Sequence, residues 1–228
     1  MRTDLVVLLS VVGFALLTMA VYAVVGRGRQ DPHEKSDRGG FVLGGFVRSW
    51  FFWFVRPVEA AAVGLSLSPT VFNVLGVLCG VAAGAFFAAG QVNAGGWLVL
   101  AGGAADVLDG RVARARGLAD ETGAFLDSTL DRFAEVGAFV GLAVMYRSSA
   151  PYVALVVTAM GGSLLVSYAR ARGESLGVVA NVGIMQRAER LLLMGFGAIL
   201  DPSVSAWAEW PEGSLLVGIL VDAVAVVL

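Results

Sequence analysis

Residues 5–25 run for 21 positions without a single charge, and a helix needs about 20 such residues to cross a bilayer. Apolar stretches recur at about 71–90, 96–116, 122–146, 152–172, 187–200 and 214–228, the last two short for spans. Backbone inside lipid has no water to bond to, so it must close its hydrogen bonds within each segment, as a helix does. The chain is therefore expected to be all-α, a polytopic membrane helix bundle with no sheet. Composition agrees: 57% of the 228 residues are hydrophobic and 15% charged, against about a quarter charged in soluble domains. Thirty glycines suit helices whose backbones approach closely in lipid. A net charge of -2 gives no support to nucleic-acid binding. The one cysteine, Cys79, excludes a disulfide framework, and His33 sits in a polar stretch that reads as solvated loop.

Four regions follow along the chain. Residues 1–26 form an N-terminal membrane anchor. A signal peptide cleaved near Val21-Tyr22-Ala23 competes with that reading, but its apolar core exceeds the usual ~7–15 residues. Residues 27–40 are polar and mixed in charge, a cytoplasmic loop. Within 41–64, Trp50 and Trp53 stand between Arg48 and Arg56. Indole rings prefer the headgroup level and arginine seeks phosphate, so this segment is expected to be an interfacial amphipathic helix. Pro57 should kink or end it. Residues 65–228 form the main membrane domain. Arg111, Arg114 and Arg116, then Arg170 and Arg172, then Arg187 and Arg190 cluster at alternate helix ends, while the opposite connections hold only Arg147. The positive-inside rule places the arginine-rich ends in the cytoplasm, with seven spans and one surface helix.

Against this background Asp106, Asp109, Asp127 and Asp131 are out of place. A carboxylate at a helix centre costs about 2.5–3.5 kcal/mol on insertion scales, and such residues are functional by default. At about 100° per residue, Asp106, Asp109, Gly110, Ala113 and Arg114 occupy an arc of roughly 140° on one helix. Gly123, Asp127 and Asp131 recur every four residues on the next. The short connection 117–122 makes the two helices antiparallel neighbours, so the four carboxylates can converge. Oxygen donors of this kind suit Mg²⁺ or Mn²⁺ rather than Zn²⁺. Gly110, Ala113 and Gly123 leave room on that face for a flat base or a phosphate. Salt-bridged helix ends, with Arg114 and Arg132 as partners, account for one carboxylate pair but not for eight positions in phase, because buried ion pairs bring little net stability.

The pattern D-x-x-D-G-x-x-A-R-x8-G-x3-D-x3-D, from Asp106 to Asp131, resembles the signature of the CDP-alcohol phosphatidyltransferase family at every defining position. The resemblance extends from about residue 65 to the C-terminus. It implies a six-helix membrane core, to which the N-terminal span and surface helix are additions, and a homodimer whose site opens to the cytoplasm. It also implies two divalent ions, Mg²⁺ or Mn²⁺, that grip the pyrophosphate of CDP-diacylglycerol. By the same resemblance Asp106, Asp109, Asp127 and Asp131 would be metal ligands, and Asp131 also the base for the acceptor hydroxyl. Gly110, Ala113, Arg114 and Gly123 would contact the CDP portion. Asn73 stands where that family would have Thr or Ser.

The stretches 168–177 and 183–190 are similar to those of prokaryotic phosphatidylinositol-phosphate and archaetidylinositol-phosphate synthases. That implies a small phosphorylated alcohol, inositol 1-phosphate, as acceptor, with Arg170, Arg172, Arg187 and Arg190 available for its phosphate. Topological bias alone also places arginines there. Glycerol 3-phosphate, as in phosphatidylglycerophosphate synthases, is the close alternative, and uncharged acceptors rank lower. A divalent-cation transporter would expect acidic groups through the membrane thickness rather than at one surface beside Arg114. A structural scaffold would leave the cost of four carboxylates uncompensated.

Overall fold

The computed structural model describes residues 3–26, 44–177, 187–211 and 213–227. They form eight helices with no strand among them: α1 (Thr3–Val25), α2 (Gly44–Gly64), α3 (Pro69–Ala88), α4 (Val92–Ala115), α5 (Glu121–Met145), α6 (Ala150–Ser175), α7 (Arg187–Trp207) and α8 (Ser214–Val227). By length and composition α3 and α6 can each cross a bilayer, and 9–25 of α1 is a shorter apolar segment. His33 and the 27–40 loop lie outside the described residues.

Helix α3 is the axis of the bundle. It packs along both α4 and α5, which meet each other only slightly. The expected approach of α4 and α5 is therefore confined to a short region, and α3 packs against both. Small residues make this possible. A Cβ added at Gly84 would collide with the backbone carbonyl of Gly137, and one added at Gly141 would collide with the backbone of Gly84. In lipid, where apolar side chains gain little by leaving solvent, such close backbone approach is a main source of helix association. Beyond this seam Phe87, Leu142, Val156 and Leu216 form a fully buried core joining α3, α5, α6 and α8.

The ends of these helices are set locally. Ser68 caps α3, its hydroxyl accepting from the N–H of Thr70, and Pro69 occupies the first turn, where no N–H is required. Helix α4 closes at Gly117, whose φ of +66° suits glycine. The N–H of Leu118 returns to the carbonyl of Ala113, and that of Gly117 to Arg114. Asp120 then caps α5 by accepting from the N–H of Gly123 at 2.6 Å. The connection between the two carboxylate helices is thus held at both ends.

Two expectations are refined. Of the two outcomes expected at Pro57, a kink or an end, the end does not occur: α2 runs on to Gly64, and Phe52, Val55, Glu59 and Ala62 are buried on both sides of the proline. Helix α7 continues to Trp207 through Pro202, so it is 21 residues long rather than short. The stretch after residue 200 is not a plain loop. Asp201 is fully buried and accepts hydrogen bonds from the N–H groups of Gly213 (2.6 Å) and Leu216 (3.0 Å). It satisfies two of the open N–H groups at the start of α8 from the preceding helix, α7.

Candidate active site

Three carboxylates converge where α4 and α5 approach. Oxygens of Asp106, Asp109 and Asp127 all lie within 4.8 Å of one another. Asp109 is buried and the other two are half-buried. The third helix completes the arrangement. Asn73 of α3 donates through Nδ2 to Asp109 Oδ2 at 2.8 Å and to Asp127 Oδ1 at 3.0 Å. One amide nitrogen thus bridges carboxylates from two helices. Like charges at this separation repel, and a neutral amide offsets only part of that repulsion. Three hard oxygen donors within reach of one centre fit a divalent ion such as Mg²⁺ or Mn²⁺. The residues present therefore suit the metal chemistry that the sequence pattern implied.

Asp131 lies one turn further along α5 and is half-buried. It is not one of the three clustered carboxylates among the described residues. It instead lines a cavity of about 510 Å³ whose walls come from α3 to α8. Arg190 of α7 lines the same cavity, so this arginine and Asp131 share one space. Arg187 begins α7, but its side chain lies outside the described residues, as do residues 178–186. Arg170 and Arg172 do not line the cavity. Both are exposed, and Arg170 pairs with Glu174 on its own helix at 3.1 Å.

Of the positions expected to face the donor, Gly110 and Arg114 belong together. A Cβ at Gly110 would stand 3.3 Å from the Arg114 guanidinium, so glycine leaves room for that group beside the carboxylate turn. Ala113 is half-buried on the same helix. Gly123 is exposed in the first turn of α5, and a Cβ there would come within 2.9 Å of the capping Asp120 carboxylate. Its smallness thus serves the cap as well as the open face.

Sequence reasoning missed two buried polar pairs. Glu135 accepts a hydrogen bond from Ser163 of α6, and both line the cavity with Asp131. Its signal was visible: Gly123, Asp127, Asp131 and Glu135 continue one four-residue rhythm. The second pair is Glu59 with Arg111, where Nε and Nη2 of the arginine each stand 2.6 Å from Glu59 Oε2. Arg111 had read as a topological arginine, which carries no hint of a buried partner.

Comparison with known proteins gives the family. Residues 66–222 match the CDP-alcohol phosphatidyltransferase family. The archaetidylinositol phosphate synthase of Methanothermobacter thermautotrophicus is 36% identical over 154 residues, 67% of this chain and 76% of that protein. Among solved structures, Mycobacterium tuberculosis phosphatidylinositol phosphate synthase with CDP-DAG bound superposes with a TM-score of 0.64 at 29% identity, covering 75% of this chain and 86% of that one. The same M. tuberculosis enzyme in complex with manganese and citrate gives a TM-score of 0.64 at 29% identity, over 75% and 82% of the two chains. The clustered carboxylates, their amide bridge and these likenesses together establish that the chain belongs to the CDP-alcohol phosphatidyltransferase family of membrane-embedded phosphotransferases.

Proposed function

We propose that this enzyme moves the phosphatidyl group of CDP-diacylglycerol onto inositol 1-phosphate and releases CMP. The carrying observation is the juxtaposition of the three-carboxylate cluster with a cavity lined by both Asp131 and Arg190. Asp106, Asp109 and Asp127 would hold the divalent ions, with Asp131 as a further ligand. Bound there, such ions offset negative charge on the pyrophosphate and on the departing CMP. Gly110, Ala113, Arg114 and Gly123 leave space for, and contact, the CDP portion. The acceptor hydroxyl oxygen forms a bond to the phosphorus that carries the diacylglycerol, and the bond from that phosphorus to CMP breaks. Asp131 takes the hydroxyl proton, a role that needs a carboxylate within reach of the acceptor.

Arg190, with Arg187 at the start of the same helix, would bind the acceptor's phosphate by charge-assisted hydrogen bonds. The relatives named above support the inositol phosphate assignment. Arg170 is engaged with Glu174 and, like Arg172, is not assigned to the acceptor. The arginine bias at one set of helix ends supports a site facing the cytoplasm of a cell (inner) membrane. Tryptophans and arginines of α2 support its lying along that surface. We further propose that the enzyme works as a homodimer, in contact with membrane lipids.

The decisive experiment measures CMP release from CDP-diacylglycerol with a panel of acceptors. Inositol 1-phosphate should be the best substrate and free inositol a poor one. A preference for glycerol 3-phosphate would overturn the acceptor while leaving phosphatidyl transfer intact. No CMP release with any acceptor would overturn the transfer itself.

A further inference from the structure

Helix α2 lies outside the carboxylate cluster, yet it packs on α4, which carries Asp109, and shares a buried apolar cluster with Phe72, the neighbour of Asn73 on α3. Glu59 and Arg111 are buried and joined at 2.6 Å. The Arg111 guanidinium also lies 4.9 Å from the centroid of the Phe52 ring, and that of Arg48 lies 5.3 Å from the same ring. Around this contact Val55 and Ala62 of α2 pack with Leu108 and Val112 of α4 and with Phe72 of α3. These packing residues interleave with the site. Leu108 and Arg111 bracket Asp109 along α4, and Phe72 precedes Asn73 on α3. The same helical turns therefore show one face to α2 and another to the carboxylates. A buried ion pair gains little stability over apolar side chains of similar size, and its best-attested use is to fix register. Arg111 stands two residues beyond Asp109 on α4.

We propose that Glu59 and Arg111 form a positioning pair that locks α2 against α4 and so sets the spacing of Asp109 from Asn73 and Asp127. The affinity of the site for divalent ions then depends on how α2 is docked. This rests on the reading that the carboxylates bind such ions. By thermodynamic linkage the dependence is reciprocal: an ion that is bound more tightly when α2 is docked must also hold α2 in place.

The test uses the full chain in lipid nanodiscs with Mn²⁺ as the probe. Calorimetry gives Mn²⁺ affinity, and hydrogen exchange follows the backbone amides of residues 52–64 with and without the ion. In the native enzyme Mn²⁺ should slow exchange across those residues. Glu59→Gln should weaken Mn²⁺ binding about tenfold, comparable to the lower end for losing a group that orients a ligand. The pair Glu59→Met with Arg111→Met should fold with a similar Tm and show the same weakening, a loss that a purely structural role would not produce. Arg111→Lys should recover part of it. The proposal is overturned if native α2 exchange ignores Mn²⁺, or if folded variants bind the ion as tightly as the native enzyme. Should the variants fail to fold, the exchange measurement on native protein decides alone. A native enzyme that binds no Mn²⁺ at any concentration overturns the metal reading itself, and this proposal with it.

Discussion

The amide nitrogen of Asn73 stands 2.8 Å from Asp109 and 3.0 Å from Asp127, joining a carboxylate of α4 to one of α5 from a helix packed against both. Its N–H groups point at oxygens that also face a common centre, so Asn73 holds the ligand set open at a defined width. Replacing it with Ala removes two hydrogen bonds to charged groups, each of a class contributing roughly 1.5–3 kcal/mol. Asn73→Ala should weaken Mn²⁺ binding about tenfold or more, read by calorimetry on the purified protein. Asn73→Asp should bind the ion yet lower stability in its absence, because a fourth negative charge joins the cluster.

Chelation gives a simple check on the cluster as a whole. EDTA should abolish CMP release, and Mg²⁺ or Mn²⁺ should restore it. Asp109→Ala should lose both metal and CDP-diacylglycerol binding, whichever ion is supplied. Full turnover in chelator would remove the basis for the metal assignment.

Asp131, proposed both as base and as a further ligand, lies beyond the three clustered carboxylates, so its substitution tests proton transfer with the main ligand set intact. Asp131→Asn keeps the shape of the side chain but cannot accept the hydroxyl proton. Donor binding should persist while kcat falls by about 10²–10⁴, the usual contribution of a positioned general base. Retention of near-native kcat would transfer the base to another group.

The acceptor arginines differ in expected weight. Arg190→Ala should raise acceptor KM by an amount equivalent to ~1.5–3 kcal/mol and leave CDP-diacylglycerol binding nearly unchanged. Lys at this position should recover only part of the loss, since a point charge lacks the planar fork. Arg170→Ala should change KM little, because that side chain is exposed and paired with Glu174. Steady-state kinetics against inositol 1-phosphate distinguish these outcomes.

The α3–α5 seam predicts a stability effect remote from the chemistry. Gly84→Ala places a methyl group against the backbone of Gly137, where nothing can rotate away. A loss of about 1–3 kcal/mol is expected for overpacking of this kind, measured as a lowered Tm in detergent. A native Tm would show that the helices separate there without cost.

The parts of this fold and site that were legible in sequence are those written in one helix at a time. Asp106 and Asp109, or Asp127 and Asp131, announce a shared face through helical spacing, and apolar run length announces the helices themselves. What escaped depends on which faces meet. Glycines at 80, 84, 137 and 141 show that some close contact exists but not that α3 meets α5. Arg111 cannot be told from a topological arginine until Glu59, 52 residues away, is seen beside it. Asp201 read as part of a loop because the N–H groups it accepts from belong to a later segment. Asn73 was noticed as a departure from pattern, yet its role exists only once two other helices are in place.

The wedge position of α3 also has a consequence for the order of assembly. In chain order α3 precedes α4 and α5, so during synthesis the wedge is already present when the two carboxylate helices arrive. Each can settle on an existing flank, and no finished hairpin has to be prised apart to admit a third helix. The charged faces of α4 and α5 then meet Asn73 as they dock. The same helices connected in the order α4, α5, α3 would have to gather their aspartates in lipid before the amide arrived to hold them.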